Sequence, residues 1–282
     1  MLALYTLATN PKNNELNTAV YMKAGGEATA FVISTCWVIS YLCNPAVFEN
    51  NPLKERLGYN NPCVGLDTKP ATFFASAMLT VPIYLNFRAC WIAAMAEAYA
   101  EDNQTTTIGR IMTYASCLIY MVSTAILAVL FLVPPGPTAS DCWWHTSIYV
   151  QYILGRLIFV TTHYYRHGNQ EGVFQNGASL SWCFLHVYAA VSILAPVLFY
   201  VNFAWYDIYR DPAVDGDKIL IPWYVTMTVD YLWFICLALT TKFMPQSSAF
   251  VLERQQNLRD EFEETFEEQE DAYEETVGLT KS

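Results

Sequence analysis

Six stretches of this chain are long and apolar enough to cross a membrane as helices. A hydrocarbon core of about 30 Å needs roughly 20 residues at ~1.5 Å of helical rise per residue. Lipid offers no hydrogen-bond partner to an open backbone, so each stretch is predicted to be an α-helix. The predicted spans are residues 24–44, 71–96, 108–133, 143–165, 179–203 and 219–243.

The composition supports a membrane protein and divides the chain into three parts. Hydrophobic residues make up 54% and charged residues 15%, against ~25% charged residues in soluble domains. Residues 251–282 carry eleven acidic and three basic side chains, so most of the net charge of −11 belongs to this end. The near-neutral body argues against a nucleic-acid binder that uses basic charge. We predict an all-α polytopic membrane protein: a non-membrane segment (1–23), a six-helix bundle (24–245) and an acidic helical tail (246–282).

The distribution of basic residues predicts the orientation of the chain. If both termini share one side, that side collects seven Lys and Arg residues and the other side five: on the first, Lys12, Lys23, Arg110, Arg166, Lys242, Arg254 and Arg259. This excess places both termini on the inner side. The first 23 residues contain two Lys and no Arg, unlike a transit peptide. Among compartments, an organellar inner membrane, such as the mitochondrial one, is slightly favoured.

Four ionisable side chains fall inside the predicted spans and form the candidate functional site. They are Arg88, Arg156, His186 and Asp230. At ~1.5 Å per residue, the last three lie within about one helical turn of the same depth. Three interpretations stay open: an Arg156–Asp230 ion pair that fixes the helices, a proton relay or solute site, or no contact. Buried charges in membranes are costly and usually paired, which favours the ion pair.

The cysteines and histidines predict little metal or cofactor chemistry. Eight cysteines occur without CxxC or CxxH spacing, which argues against a metal site. Cys63 and Cys142 lie in loops predicted on the same side, so they form either a disulfide or two free thiols. Among the four histidines, His163 and His186 differ in depth by about two helical turns, which argues against a haem held between them. The predicted bound molecules are membrane lipids.

The acidic tail carries an apolar stripe. Leu258, Phe262 and Phe266 are spaced four residues apart, and Tyr273 is a further aromatic residue of the tail. Acidic charge opposes binding to anionic lipid, so the stripe suits a groove on a partner protein. The alternative is a solvated helix that frays.

The sequence favours a non-catalytic accessory or structural subunit of a larger membrane assembly, with other membrane subunits as partners. The rival is a small-solute or proton transporter or channel that uses Arg156, His186 and Asp230. A membrane enzyme ranks third, because no nucleophile–base pair or cluster of metal ligands can be assembled from the sequence. No motif covers enough of the chain to assign it to a family.

Overall fold

The computed structural model describes residues 18–99, 106–129, 136, 138–167, 178–216 and 218–243. In this part all regular structure is helical and no strand occurs. The α-helices are α1 (Thr18–Cys43), α2 (Pro52–Leu57), α3 (Ala71–Met78), α4 (Thr80–Tyr99), α5 (Thr107–Leu127), α6 (Ala139–His167), α7 (Ala178–Ala204), α8 (Pro212–Asp215) and α9 (Trp223–Phe243). Two 3₁₀ turns, Pro45–Phe48 and Pro62–Leu66, and a π-helical turn, Trp205–Tyr209, complete them.

Six long helices form a closed ring. Each of α1, α4, α5, α6, α7 and α9 packs against the next helix in this order, and α9 packs back against α1. The core lies inside the ring and is rich in aromatic side chains. Trp233 on α9 is fully buried and meets the rings of Tyr149 and Tyr152 on α6 edge-on, at centroid distances of 5.7 and 6.3 Å. Every long helix therefore has one face turned to this core.

Four helical stretches of the described residues are long and apolar enough to cross a membrane: Thr18–Cys43, Ala71–Ala98, Thr107–Leu127 and Trp182–Tyr209. The membrane class is thus confirmed, and spans 1, 2, 3 and 5 of the sequence prediction have their counterparts. The predicted spans 143–165 and 219–243 correspond to α6 and α9. Neither helix meets the criterion of length and hydropathy that the four stretches meet. The apolar stretch on α9 is the shorter Trp223–Leu239.

Helix boundaries differ from the prediction where proline intervenes. The second span breaks at Leu79, between α3 and α4. Pro82 explains the break, because its ring would clash with the carbonyl of Met78 and it has no N–H to donate there. Pro196, in contrast, lies inside the continuous helix α7. Helix α1 begins at Thr18, so the end of the predicted non-membrane segment belongs to it.

The segment between the first two spans, residues 44–70, is not an open loop. Leu53, Leu57 and Val64 are each at most 2% exposed. The segment packs closely on α1, since an ideal Cβ at Gly65 would lie 2.5 Å from Trp37 Cδ1. Contacts of this segment with α1 and α7 place it across one end of the ring. We refer to it below as the 44–70 segment.

Candidate functional site

Among the described residues, Asp230 on α9 is one of two acidic or basic side chains that are 0% exposed. Its Oδ2 accepts hydrogen bonds from Tyr59 Oη at 2.9 Å and from Asn61 Nδ2 at 2.8 Å. Its Oδ1 accepts a longer bond from Tyr149 Oη on α6, at 3.4 Å. Asn61 is itself fixed, because its Oδ1 accepts the backbone N–H of Cys63 at 2.9 Å.

These contacts fasten the 44–70 segment to α9. We call Asp230 with its three donors, Tyr59, Asn61 and Tyr149, the Asp230 latch. Burial raises the pKa of Tyr59 well above its ordinary value, and the neighbouring Asp230 raises it further, so this hydroxyl stays protonated and donates. Hydrogen bonds to an ionised group contribute about 1.5–3 kcal/mol each. The latch therefore compensates a buried carboxylate with neutral donors, without a cation.

Arg156 on α6 is the second fully buried charged side chain, also 0% exposed. Its Nη1 donates to Tyr120 Oη at 2.9 Å. Its Nε and Nη2 are buried and have no hydrogen-bond partner. The guanidinium interacts electrostatically with Tyr120, Tyr152 and Tyr188, and Asn86 Nδ2 donates to Tyr152 Oη at 3.5 Å. Arg156 thus lies in a tyrosine-lined site with half of its hydrogen-bonding edge unused.

The structure does not bring together Arg156, His186 and Asp230, the three residues that the sequence placed at one depth. Arg156 and Asp230 have different partners, and no ion pair joins them in the described part of the chain. His186 is exposed on α7, where its Nδ1 lies 2.7 Å from the carbonyl of Trp182. Arg88 on α4 is only partly buried. Equal depth did not bring these residues together, because depth does not fix the direction in which each side chain leaves its helix.

Two further ion pairs were not anticipated from the sequence. Arg56 Nη2 lies 3.0 Å from Asp207 Oδ1, and Trp143 Nε1 donates to Asp207 Oδ2 at 3.1 Å. This pair links the 44–70 segment to the π-helical turn after α7. Arg166 at the end of α6 pairs with Glu97 at the end of α4. Both pairs lie near helix ends, where charged residues in a sequence are usually interpreted as solvated.

The cysteines are all free thiols. Cys63 and Cys142 are both buried, but they lie in different surroundings and no disulfide joins them. Cys63 lies near Asp67 and Asp230, whereas Cys142 Sγ is 3.2 Å from the carbonyl of Gly136. Burial raises the pKa of the Cys63 thiol well above its ordinary value. In the part of the chain that the structure describes, no group of three His, Cys, Asp or Glu side chains is placed to hold a metal.

The predicted docking stripe lies outside the described residues. It consists of the tail side chains Leu258, Phe262, Phe266 and Tyr273. The tail therefore remains a prediction.

Comparison with known proteins adds no relative. No protein-family model matches the chain, and neither a curated protein nor a solved structure matches it.

Proposed function

We propose that the chain is a non-catalytic structural subunit of a larger membrane assembly. The observation that carries this proposal is the use of the buried charges. Asp230 is held by three donors of the same chain, and Arg56 is paired with Asp207. Both contacts fasten the 44–70 segment across the end of the ring. Charged groups that are held by such internal contacts suit a rigid structural subunit better than a transporter, which changes conformation.

The proposed subunit crosses the membrane six times, with α6 and α9 as the fourth and sixth spans. Helix α6 has 29 residues, or about 44 Å at ~1.5 Å per residue, which exceeds a ~30 Å core. Its low hydropathy has a simple source. Polar side chains such as Arg156, Tyr149 and Tyr152 are buried inside the ring, away from lipid. The same holds for Asp230 on α9. The proposal also places the protein in the membrane of an organelle, with both termini on the inner side.

Sidedness of two single cysteines tests the span count. In an otherwise cysteine-free chain, Glu49→Cys reports the 44–70 segment and Gln170→Cys reports the connection between α6 and α7. Six spans put the two positions on opposite sides, so an impermeant maleimide should label only one of them in sealed vesicles. If α6 does not span, both positions lie on the same side and are labelled or protected together.

The partner-facing surface in this proposal has two parts. Helix α5 has an exposed apolar face formed by Ile108, Ile111, Leu118 and Val122, which suits lipid or a neighbouring subunit. The acidic tail supplies the second contact through Phe262 and Phe266. Each buried Phe contributes about 1.5–3 kcal/mol, whereas an exposed ion pair contributes about 0–1 kcal/mol. The aromatic side chains should therefore hold the partner.

Native gel electrophoresis of the full chain in mild detergent, followed by mass spectrometry, tests the subunit. We expect co-migration with other membrane proteins in fixed stoichiometry. Replacing both Phe262 and Phe266 with Ser should release the chain, while changing Glu263 and Glu264 to Gln should leave it bound. A chain that migrates alone and carries protons or a solute into liposomes would contradict the proposal. The rival transporter is favoured by one observation, the unpartnered Nε and Nη2 of Arg156.

A further inference from the structure

Helix α4 carries a stripe of side chains that faces away from the core of the ring. Val81, Tyr84, Arg88 and Trp91 have the spacing i, i+3, i+7, i+10, so they lie on one face of α4. Tyr84 is 63% exposed and Trp91 is 56% exposed, Val81 is also exposed, and Arg88 between them is partly buried. In a helix that crosses a membrane, such a face meets either lipid or another helix. We call these four residues the Arg88 stripe.

Three members of the Arg88 stripe carry hydrogen-bond donors that the rest of the chain leaves without an acceptor. No hydrogen bond or ion pair joins Arg88, the Tyr84 hydroxyl or the Trp91 indole N–H to another residue in the described part of the chain. The indoles of Trp37 and Trp233, in contrast, donate to acceptors of the chain at 2.7 and 3.1 Å. Lipid chains supply no acceptor, so a guanidinium on this face is costly unless something else pairs with it.

The depth of Arg88 argues against solvation by water or by lipid headgroups. Glu97 pairs with Arg166 near the ends of α4 and α6, so this ion pair gives the level of one membrane boundary. Arg88 precedes Glu97 by nine residues, or about 14 Å of helix at ~1.5 Å per residue. This distance is about half of a ~30 Å hydrocarbon core, so Arg88 leaves its helix near the middle of the bilayer. Long basic side chains snorkel to the surface from near helix ends, not from this depth.

A carboxylate at the same depth is the group that suits Arg88, because it neutralises the guanidinium and accepts two of its N–H groups in parallel. A phospholipid headgroup lies at the surface of the bilayer, far from this level. A second copy of the chain offers no suitable carboxylate among the described residues of the six long helices. Glu27 already interacts within the chain, Glu97 is in an ion pair, and Asp230 is held by its latch. Asp141 lies in the first turn of α6, close to a membrane surface.

We propose that the Arg88 stripe is the docking face for a transmembrane helix of a different subunit, and that this helix carries an Asp or Glu that pairs with Arg88. The spacing of the stripe is the one with which a helix packs along a second helix. Tyr84 and Trp91 lie about one turn to either side of Arg88, where their hydroxyl and indole N–H donate to polar groups of the partner helix. This inference rests on the function proposed above, since it needs a partner subunit, and it names the chemistry that the partner presents inside the membrane.

Photo-crosslinking of the full chain in its own membrane tests the docking face. The photoreactive residue p-benzoylphenylalanine replaces Tyr84 or, as a matched control on α7, Ile193, which is 52% exposed. Mass spectrometry of the crosslinked peptides then identifies what covers each position. We expect position 84 to be joined to one transmembrane peptide that contains Asp or Glu, and position 193 not to be joined to that peptide. Crosslinks from position 84 only to phospholipid, to a second copy of the chain or to a peptide without a carboxylate would overturn the proposal.

Charge variants of Arg88 test the ion pair itself. Arg88→Leu and Arg88→Glu should each lower the yield of the crosslink from position 84 at least about tenfold, because each removes a charge-assisted contact. Arg88→Lys keeps the charge and should retain most of the yield. Changing the carboxylate of the partner to Lys should restore the crosslink in Arg88→Glu. Protection of Cys63, which is 3% exposed, from maleimide shows that each variant is folded.

The native gel separates failure of this inference from failure of the proposed function. If Arg88→Leu co-migrates with the assembly and crosslinks from position 84 as the wild type does, the docking face is refuted while the subunit stands. If the wild-type chain migrates alone, the subunit is refuted and the docking face with it.

Discussion

Removing one hydroxyl from the Asp230 latch should open the 44–70 segment locally. Tyr59→Phe deletes the donor that lies 2.9 Å from Asp230 Oδ2 and keeps the aromatic ring of the side chain. A hydrogen bond to a charged group contributes about 1.5–3 kcal/mol. The carboxylate would keep Asn61 and the more distant Tyr149. We therefore expect the free energy of local opening to fall by about 1.5–3 kcal/mol.

The thiol of Cys63 reports this opening. Cys63 is 3% exposed, and its backbone N–H donates to Asn61, the second donor of the latch. Because burial raises the pKa of this thiol well above its ordinary value, a maleimide should react with it only after the segment opens. A loss of 1.5–3 kcal/mol corresponds to labelling about 10- to 150-fold faster. Peptide-level mass spectrometry can follow Cys63 with buried Cys117 on α5 as the internal reference.

Two comparisons make this prediction refutable. Tyr209→Phe makes the same chemical change at a side chain that is 72% exposed, and it should leave Cys63 labelling unchanged. In an Asp230→Asn background, Tyr59→Phe should cost less, about 0.5–1.5 kcal/mol, because the acceptor is then neutral. If Tyr59→Phe does not accelerate labelling of Cys63, or if Tyr209→Phe accelerates it equally, the latch does not hold the segment.

Three further predictions follow from buried polar contacts. Burial raises the pKa of Asp67 well above its ordinary value, so the folded chain binds this proton more tightly than the unfolded chain. Thermal stability should fall as pH rises above about 4 towards the folded pKa, and Asp67→Asn should flatten this slope; a slope retained in the variant would exclude Asp67 as its source. Arg156→Leu and Asp230→Leu should be additive within ~0.5 kcal/mol in thermal or denaturant unfolding, since the two residues share no hydrogen-bond partner; a larger coupling would restore the ion-pair interpretation. Gly109→Ala should cost about 1–3 kcal/mol, because its Cβ would lie 2.3 Å from Arg166 Nη1; thermal melts should show a smaller cost in an Arg166→Ala background, and an equal cost would locate the strain elsewhere.

The length of the apolar stretches predicted the helices well, because a long apolar stretch in lipid must satisfy its own backbone hydrogen bonds and does so as a helix. Thus α1, α5 and α7 appear where the sequence placed spans 1, 3 and 5. The same criterion gave only partial support for α6, whose buried Tyr149, Tyr152 and Arg156 lower its hydropathy. A hydropathy window sums all faces of a helix, so it cannot distinguish polar residues inside a ring from polar residues in water.

The 44–70 segment shows what local sequence signals leave out. Asn51-Pro52 and Asn61-Pro62 mark turns correctly, and both asparagines cap the short helices that follow. Turn signals do not say where the segment lies in three dimensions. Its burial depends on contacts distant in sequence, from Arg56 to Asp207 and from Tyr59 to Asp230. Such pairings need the closed ring, and a single sequence gives no covariation from which to infer them.

One signal in the sequence points to part of both buried centres. Tyr149, Tyr152 and Arg156 have the spacing i, i+3, i+7 on α6, so they share one helical face. That face contributes Tyr149 to the Asp230 latch and contributes Arg156 with Tyr152 to the second site. Tyrosine suits both sites, because its hydroxyl can donate to the carboxylate and accept from the guanidinium without adding a charge. Shared direction on one helix is therefore a better guide to a buried polar site than equal depth on different helices.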